Sequence, residues 1–197
     1  KLGFGRSVFL ADYENTEMLR RYVSDQANYS QVLRVLEEGT GPQFLFNVTI
    51  QNHGSYEEED FADLNALLDS RTGCSQTRQY LTLVKESGAA LKEFLQQLEQ
   101  RPRKTYVVFF GDHQPPLKNA FYERLYGKPL DQRTTEEVMQ QYAVPFFIWT
   151  NYDQPEREGV VLSSNLLGTL TAQLAGFPLT GYQQLHSRLL DALPVNT

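Results

Sequence analysis

The sequence predicts an α/β protein with helices packed on the faces of a mostly parallel sheet. Three observations carry that prediction. Apolar runs rich in β-branched and aromatic residues, QFLFNVTI at 43–50, TYVVFF at 105–110 and PFFIWT at 145–150, read as strands buried on both faces. Stretches with helical spacing separate the runs, so helix and strand alternate as they do in layered α/β domains. Two of the runs end in polar clusters that contain histidine, Asn52-His53-Gly54 and Gly111-Asp112-His113. Open α/β sheets bind ligands at such strand ends.

Taken in order, residues 1–13 are irregular and aromatic. Ser24 is a candidate cap for a helix running to about Glu38, with Ala27, Val32 and Leu36 on its apolar face and Gly39 as its stop. The first apolar run follows and breaks at the polar loop QNHGS. Glu57–Asp60 is an acidic cluster that reads as solvated. Residues 61–75 read as a short helix and a turn. A long helix covers 76–100, where Tyr80, Val84, Ser87, Leu91, Phe94, Leu95 and Leu98 recur at helical spacing and Arg101-Pro102 ends the pattern. The second apolar run follows at once. Thr134 or Thr135 is placed to cap a helix over EEVMQQY. After the third run, Val160–Leu162 reads as a short edge strand. Ser163 or Ser164 caps a helix that ends at Gly176, and a last amphipathic helix covers about Tyr182–Ala192.

The 197 residues suffice for one domain, 1–197, with a sizeable core. A net charge of −6 argues against non-specific nucleic-acid binding, which needs a basic footprint. The single cysteine, Cys74, permits no intrachain disulfide. It has no histidine nearby in sequence to activate it. No apolar stretch is long enough for a membrane span, and no signal peptide is visible. The chain starts at Lys1 rather than Met, so it is expected to be a piece of a longer protein.

Of the three histidines, two stand just beyond apolar runs. Asp112 and His113 are a carboxylate and an imidazole on a turn that Gly111 permits, both good donors for a divalent metal. Two donors do not complete a site. His53 could meet a substrate if the two runs are parallel neighbours, or could be an ordinary loop residue. His186, among Gln183, Gln184 and Arg188, reads as a surface residue. No Gly-rich phosphate loop, CxxC pair or GxSxG elbow is present.

FLFNVTIQNHGSY together with VVFFGDHQPPL, separated by a long amphipathic helix, resembles the C-terminal half of the lipoteichoic-acid-synthase-like branch of the sulfatase family, in the alkaline phosphatase superfamily. The segment YVSDQ before the first run resembles the family's approach to that strand, and the likeness extends from about residue 1 to about residue 177. The resemblance implies a three-layer α/β/α fold, alkaline-phosphatase-like, of which this chain holds the C-terminal portion. It implies an outward-facing, membrane-anchored enzyme at the bacterial surface. There a threonine attacks a phosphatidylglycerol-type phosphodiester and passes glycerophosphate to a polymer. One divalent metal is implied, manganese first, with magnesium and zinc as alternatives. By the resemblance Asp112 and His113 are metal ligands, His53 binds substrate, and Asp25 is a weaker match to a substrate-side acidic residue. The threonine nucleophile and the glutamate ligand of the family have no counterpart here, so the isolated chain is expected to be inactive. Its apolar sheet edge is expected to pair with the missing N-terminal half or with a second copy. A true sulfatase, another hydrolase of the superfamily, or a non-catalytic α/β binding module are the alternatives.

Overall fold

The computed structural model describes residues 3–57, 75–192 and 195. The chain forms two compact units. One contains residues 1–99 and 111–144, the other residues 100–110 and 145–197.

The first unit opens with a 3-10 turn at Leu10–Asp12 and a small antiparallel hairpin of β1 (Met18–Leu19) and β2 (Tyr22–Val23). Arg20 occupies the hairpin turn with φ 58°, a left-handed conformation uncommon for a residue with a side chain. Helix α1 (Asp25–Glu38) starts where expected, because the Ser24 hydroxyl accepts the Ala27 amide at 3.0 Å. Gly39 follows its last turn. Helix α2 (Ser75–Glu99) buries Thr77, Leu83, Ala90, Phe94 and Leu98 along one stripe. It packs on α1, with the Tyr29 and Phe94 rings stacked at 4.7 Å. Leu83, with no exposure, joins Tyr56 and Leu117 in a cluster that Leu19, Tyr80, Phe121 and Tyr122 surround. Helix α3 (Asn119–Tyr126) ends at Gly127, whose φ of 68° closes the helix through a bond to the Glu123 carbonyl. Helix α4 (Thr135–Gln140) begins in a capping box: Thr134 Oγ1 accepts from the Glu137 amide, and the Glu137 carboxylate accepts from the Thr134 amide.

The second unit is built on β3 (Tyr106–Phe110) and β4 (Phe146–Thr150), with helices α5 (Ser164–Leu174) and α6 (Gly181–Ala192) packed on each other. Phe109 and Phe147 stack across the ladder at 5.1 Å. Asn151 closes one end of the ladder. Its Oδ1 accepts the Thr105 amide at 2.7 Å, and its Nδ2 donates to the carbonyls of Arg101 and Arg103 at 3.1 and 3.0 Å.

Four expectations are corrected. The β3–β4 pairing is antiparallel, from Tyr106 opposite Thr150 to Phe110 opposite Phe146. Apolar runs of this length carry no mark of strand direction, so the parallel expectation rested on the alternation of elements alone. Residues 43–50 form no ladder among the described residues, and Phe44, Phe46, Val48 and Ile50 are exposed, Phe44 by 79%. Residues 160–162 likewise form no strand, and Val161 is 69% exposed. His186 is buried at 6% exposure rather than on the surface, with the Tyr182 ring 4.0 Å away. The polar residues around it in sequence mislead because a helix presents neighbours on different faces. Cys74, the short helix expected in 61–75 and most of the acidic cluster lie outside the described residues.

Candidate functional site

The polar loop after residue 50 and the turn after β3 come together in the first unit. A Cβ placed on Gly54 would sit 3.7 Å from the Pro116 ring, and Tyr56 and Leu117 share one buried cluster. The two polar clusters singled out in the sequence are therefore neighbours, through Gly54 and Tyr56 on one side and Pro116 and Leu117 on the other.

The Asp112-His113 turn is open. The side chains are 83% and 68% exposed, and Asp112 Oδ2 lies 3.5 Å from His113 Nε2. Asp112 Oδ1 accepts the His113 amide at 2.8 Å. His113 Nδ1 lies 2.9 Å from the Gln114 carbonyl oxygen. A carbonyl only accepts, so that contact places the ring proton on Nδ1 and leaves Nε2 with its lone pair. This is the arrangement of a metal-ligating histidine, whose other nitrogen donates to a carbonyl behind it. Two ligand atoms on a four-coordinate ion with bonds of about 2.1 Å are about 3.4 Å apart. The Asp112–His113 pair thus fits two corners of a divalent-metal site. No group of three or more metal-ligating side chains occurs among the described residues.

The histidine loop is held from two sides. On one, the Arg20 guanidinium donates to the carbonyls of Gln51, His53 and Ser55 at 2.8, 2.9 and 2.8 Å. It also lies over the rings of Tyr22 and Tyr56. On the other, α2 presents Ser87. Its Oγ accepts from Gln51 Nε2 at 3.0 Å and from Asn52 Nδ2 at 2.8 Å, and donates to Asp25 Oδ2 at 2.5 Å. Gln51 Oε1 in turn accepts the Asp25 amide at 2.9 Å. His53 Nδ1 lies 2.9 Å from the Gly54 carbonyl oxygen and 3.1 Å from the Tyr22 hydroxyl, which donates to the same carbonyl at 2.9 Å. As at His113, the proton falls on Nδ1.

Asp25 is 2% exposed, so its carboxylate reaches Ser87 rather than open solvent. Burial pushes its carboxyl up from the ordinary value, and hydrogen bonds from Ser87 and Gln51 offset part of that. Burial, with the Asp25 charge second, also pushes the Tyr29 phenol well up. Sequence reasoning missed Arg20 and the hub role of Ser87. The signal for Ser87 was present: it is a hydroxyl at a position of the apolar stripe of α2, where a polar side chain needs a partner. Nothing in the sequence marks Arg20, whose partners are backbone carbonyls.

A sulfatase fold is the class these elements define: the Sulfatase family model matches residues 2–177, and the chain belongs to that family. A protein of Rhizobium meliloti (strain 1021) named for cyclic beta-1,2-glucan modification is 26% identical over 197 residues, covering 95% of this chain and 31% of that protein. The capsular polysaccharide biosynthesis protein RkpI of the same strain is 32% identical over 123 residues, covering 60% of this chain and 21% of RkpI. Among solved structures, the Streptococcus pyogenes phosphoglycerol transferase GacH, in complex with sn-glycerol-1-phosphate, matches with a TM-score of 0.73 and 20% identity over 94% of this chain and 46% of GacH. That likeness concerns the fold, which is sulfatase-type and alkaline-phosphatase-like. The chain spans 31% and 21% of the lengths of these two curated relatives. No helix among the described residues is long and apolar enough to cross a membrane.

Proposed function

We propose that the chain is the C-terminal part of the catalytic domain of a metal-dependent phosphoglycerol transferase. In this reading the enzyme acts on phosphatidylglycerol-type phosphodiesters through a threonine that these residues do not include. The observation that carries it is the Asp112–His113 pair, two donors 3.5 Å apart with His113 Nδ1 against a carbonyl, beside the loop that bears His53. Asp112 and His113 hold one divalent metal, manganese first and magnesium or zinc as alternatives. When bound, that ion supplies positive charge against phosphoryl oxygens and lowers the pKa of a coordinated hydroxyl. His53, with Nδ1 on the Gly54 carbonyl, offers Nε2 to a phosphoryl or glycerol oxygen. Tyr22 keeps the ring in that orientation. Asp25 serves the site from behind the histidine loop.

The two curated relatives are both named for polysaccharide work, which supports a glycan as the acceptor. The solved neighbour's complex with sn-glycerol-1-phosphate supports a glycerophosphoryl donor. The parent is membrane-anchored with its catalytic part outside the cell. The exposed segment 43–50 is where strands of the N-terminal half pair.

The test joins this chain to the segment encoded upstream. It follows glycerophosphate release from phosphatidylglycerol vesicles with manganese. The expected result is turnover that falls at least about 1,000-fold in Asp112→Ala and in His113→Ala, as when a member of a catalytic unit is removed. Undiminished turnover in both variants sinks the assignment. Turnover of an aryl sulfate in place of the lipid establishes the sulfatase alternative. The 197-residue chain alone is expected to show no turnover of a nitrophenyl phosphodiester.

A further inference from the structure

Resting on the reading of His53 as a substrate contact, we infer that Ser87 is a positioning residue for His53, with Asp25 as its buried anchor. A serine hydroxyl has one proton to give and two lone pairs to share. Ser87 uses all three: Gln51 and Asn52 donate to it through their amide groups at 3.0 and 2.8 Å, and it donates to Asp25 at 2.5 Å. The directions are forced, because an NH2 group only donates and an ionised carboxylate only accepts. The Asp25 amide returns to Gln51 Oε1 at 2.9 Å and closes the circuit. Asp25, Gln51 and Asn28 on the neighbouring turn of α1 are each 5% exposed or less, so solvent does not compete for these bonds.

The hub grips the two residues that immediately precede His53. Their side chains are turned inward to α2, and the chain emerges at His53, whose amide donates to the Ile50 carbonyl at 3.0 Å. Removing the hydroxyl leaves two amide groups and a carboxylate in the interior without their shared partner. The loop must then rearrange to find others, and His53 moves with it. A serine that only fastened α2 to α1 would leave the histidine ring unaffected.

The experiment uses the 197-residue chain with its three histidines labelled with nitrogen-15. Ser87→Ala and Ser87→Cys, the latter near in volume and a weak hydrogen-bonder, are compared with Ser87→Thr, which keeps the hydroxyl. Thr82→Ala, on an exposed turn of the same helix, is the control. Two readouts are taken: the His53 ring-nitrogen shifts through a pH titration, and the affinity for sn-glycerol-1-phosphate. The expected result is a displaced His53 titration and about tenfold weaker binding in the alanine and cysteine variants, with recovery in the threonine variant and no change in the control. An unchanged His53 titration in a folded alanine or cysteine variant overturns the inference. If His53→Ala binds the ligand as well as the parent chain, the substrate role of His53 fails while the positioning by Ser87 stands on its titration.

Discussion

Arg20 makes three hydrogen bonds to carbonyls that a shorter or uncharged side chain cannot reach. Bonds from a charged donor contribute about 1.5–3 kcal/mol each, and they share one side chain here. Arg20→Ala is therefore expected to lower stability by about 2–4 kcal/mol in urea unfolding. Asp25 makes a different prediction. Its folded-state pKa is raised, by burial first, above the ordinary 3.8. The folded chain then holds this proton more tightly than the unfolded chain. The stability it contributes is full below about pH 3.8 and is lost as pH rises through the higher folded value. Asp25→Asn should flatten that part of the stability–pH curve and leave stability at pH 7 within about 1 kcal/mol of the parent, since an amide oxygen still accepts from Ser87. Unfolding curves at pH 4 to 7 check both points. At this scale the sequence was informative wherever chemistry is local. Asp112 and His113 are adjacent, so their pairing could be read directly. The Asp25–Ser87 contact joins residues 62 apart, and no spacing rule reaches that far.

At the scale of elements, helices were more legible than strands. The starts of α1 and α4 lie one residue after the hydroxyls that cap them, because a cap is a short-range interaction between a side chain and the next turn. The stripe of α2 was likewise visible, since a period of 3.6 needs no knowledge of what covers it. Strands depend on partners elsewhere. The run at 43–50 has the composition of a strand and no ladder, while 106–110 and 146–150 found each other antiparallel. Direction was set by the path between them, not by their residues. The end of that ladder yields a prediction. Asn151 satisfies one amide and two carbonyls with a single side chain. Asn151→Ala should destabilise the β3–β4 unit by about 1–3 kcal/mol, seen as faster amide exchange at Thr105 and along β3.

For the molecule as a whole, exposed apolar surface is the dominant property. Phe44, Phe46, Val48 and Ile50 stand out in one short segment, and Phe4 stacks on Phe44 at 5.9 Å. An extended backbone with such side chains is a template for another strand. The 197-residue chain is expected to self-associate at high micromolar concentration, and Phe44→Lys with Phe46→Lys should shift it towards monomer in light scattering. Equal association in the double variant would place the contact elsewhere. The sheet that the sequence predicts for the whole was read from three apolar runs of equal standing. Two of them pair with each other, and the third stands without a ladder.

The Arg20 clamp grips oxygen atoms that every amino acid carries, at positions 51, 53 and 55. Loop shape is thereby separated from loop identity. The residues on the clamped backbone can be exchanged to suit a different head group or acceptor while the path of the chain is kept. A family that tailors many anionic substrates gains from such an arrangement, because new chemistry can be tried without first rebuilding the frame that displays it.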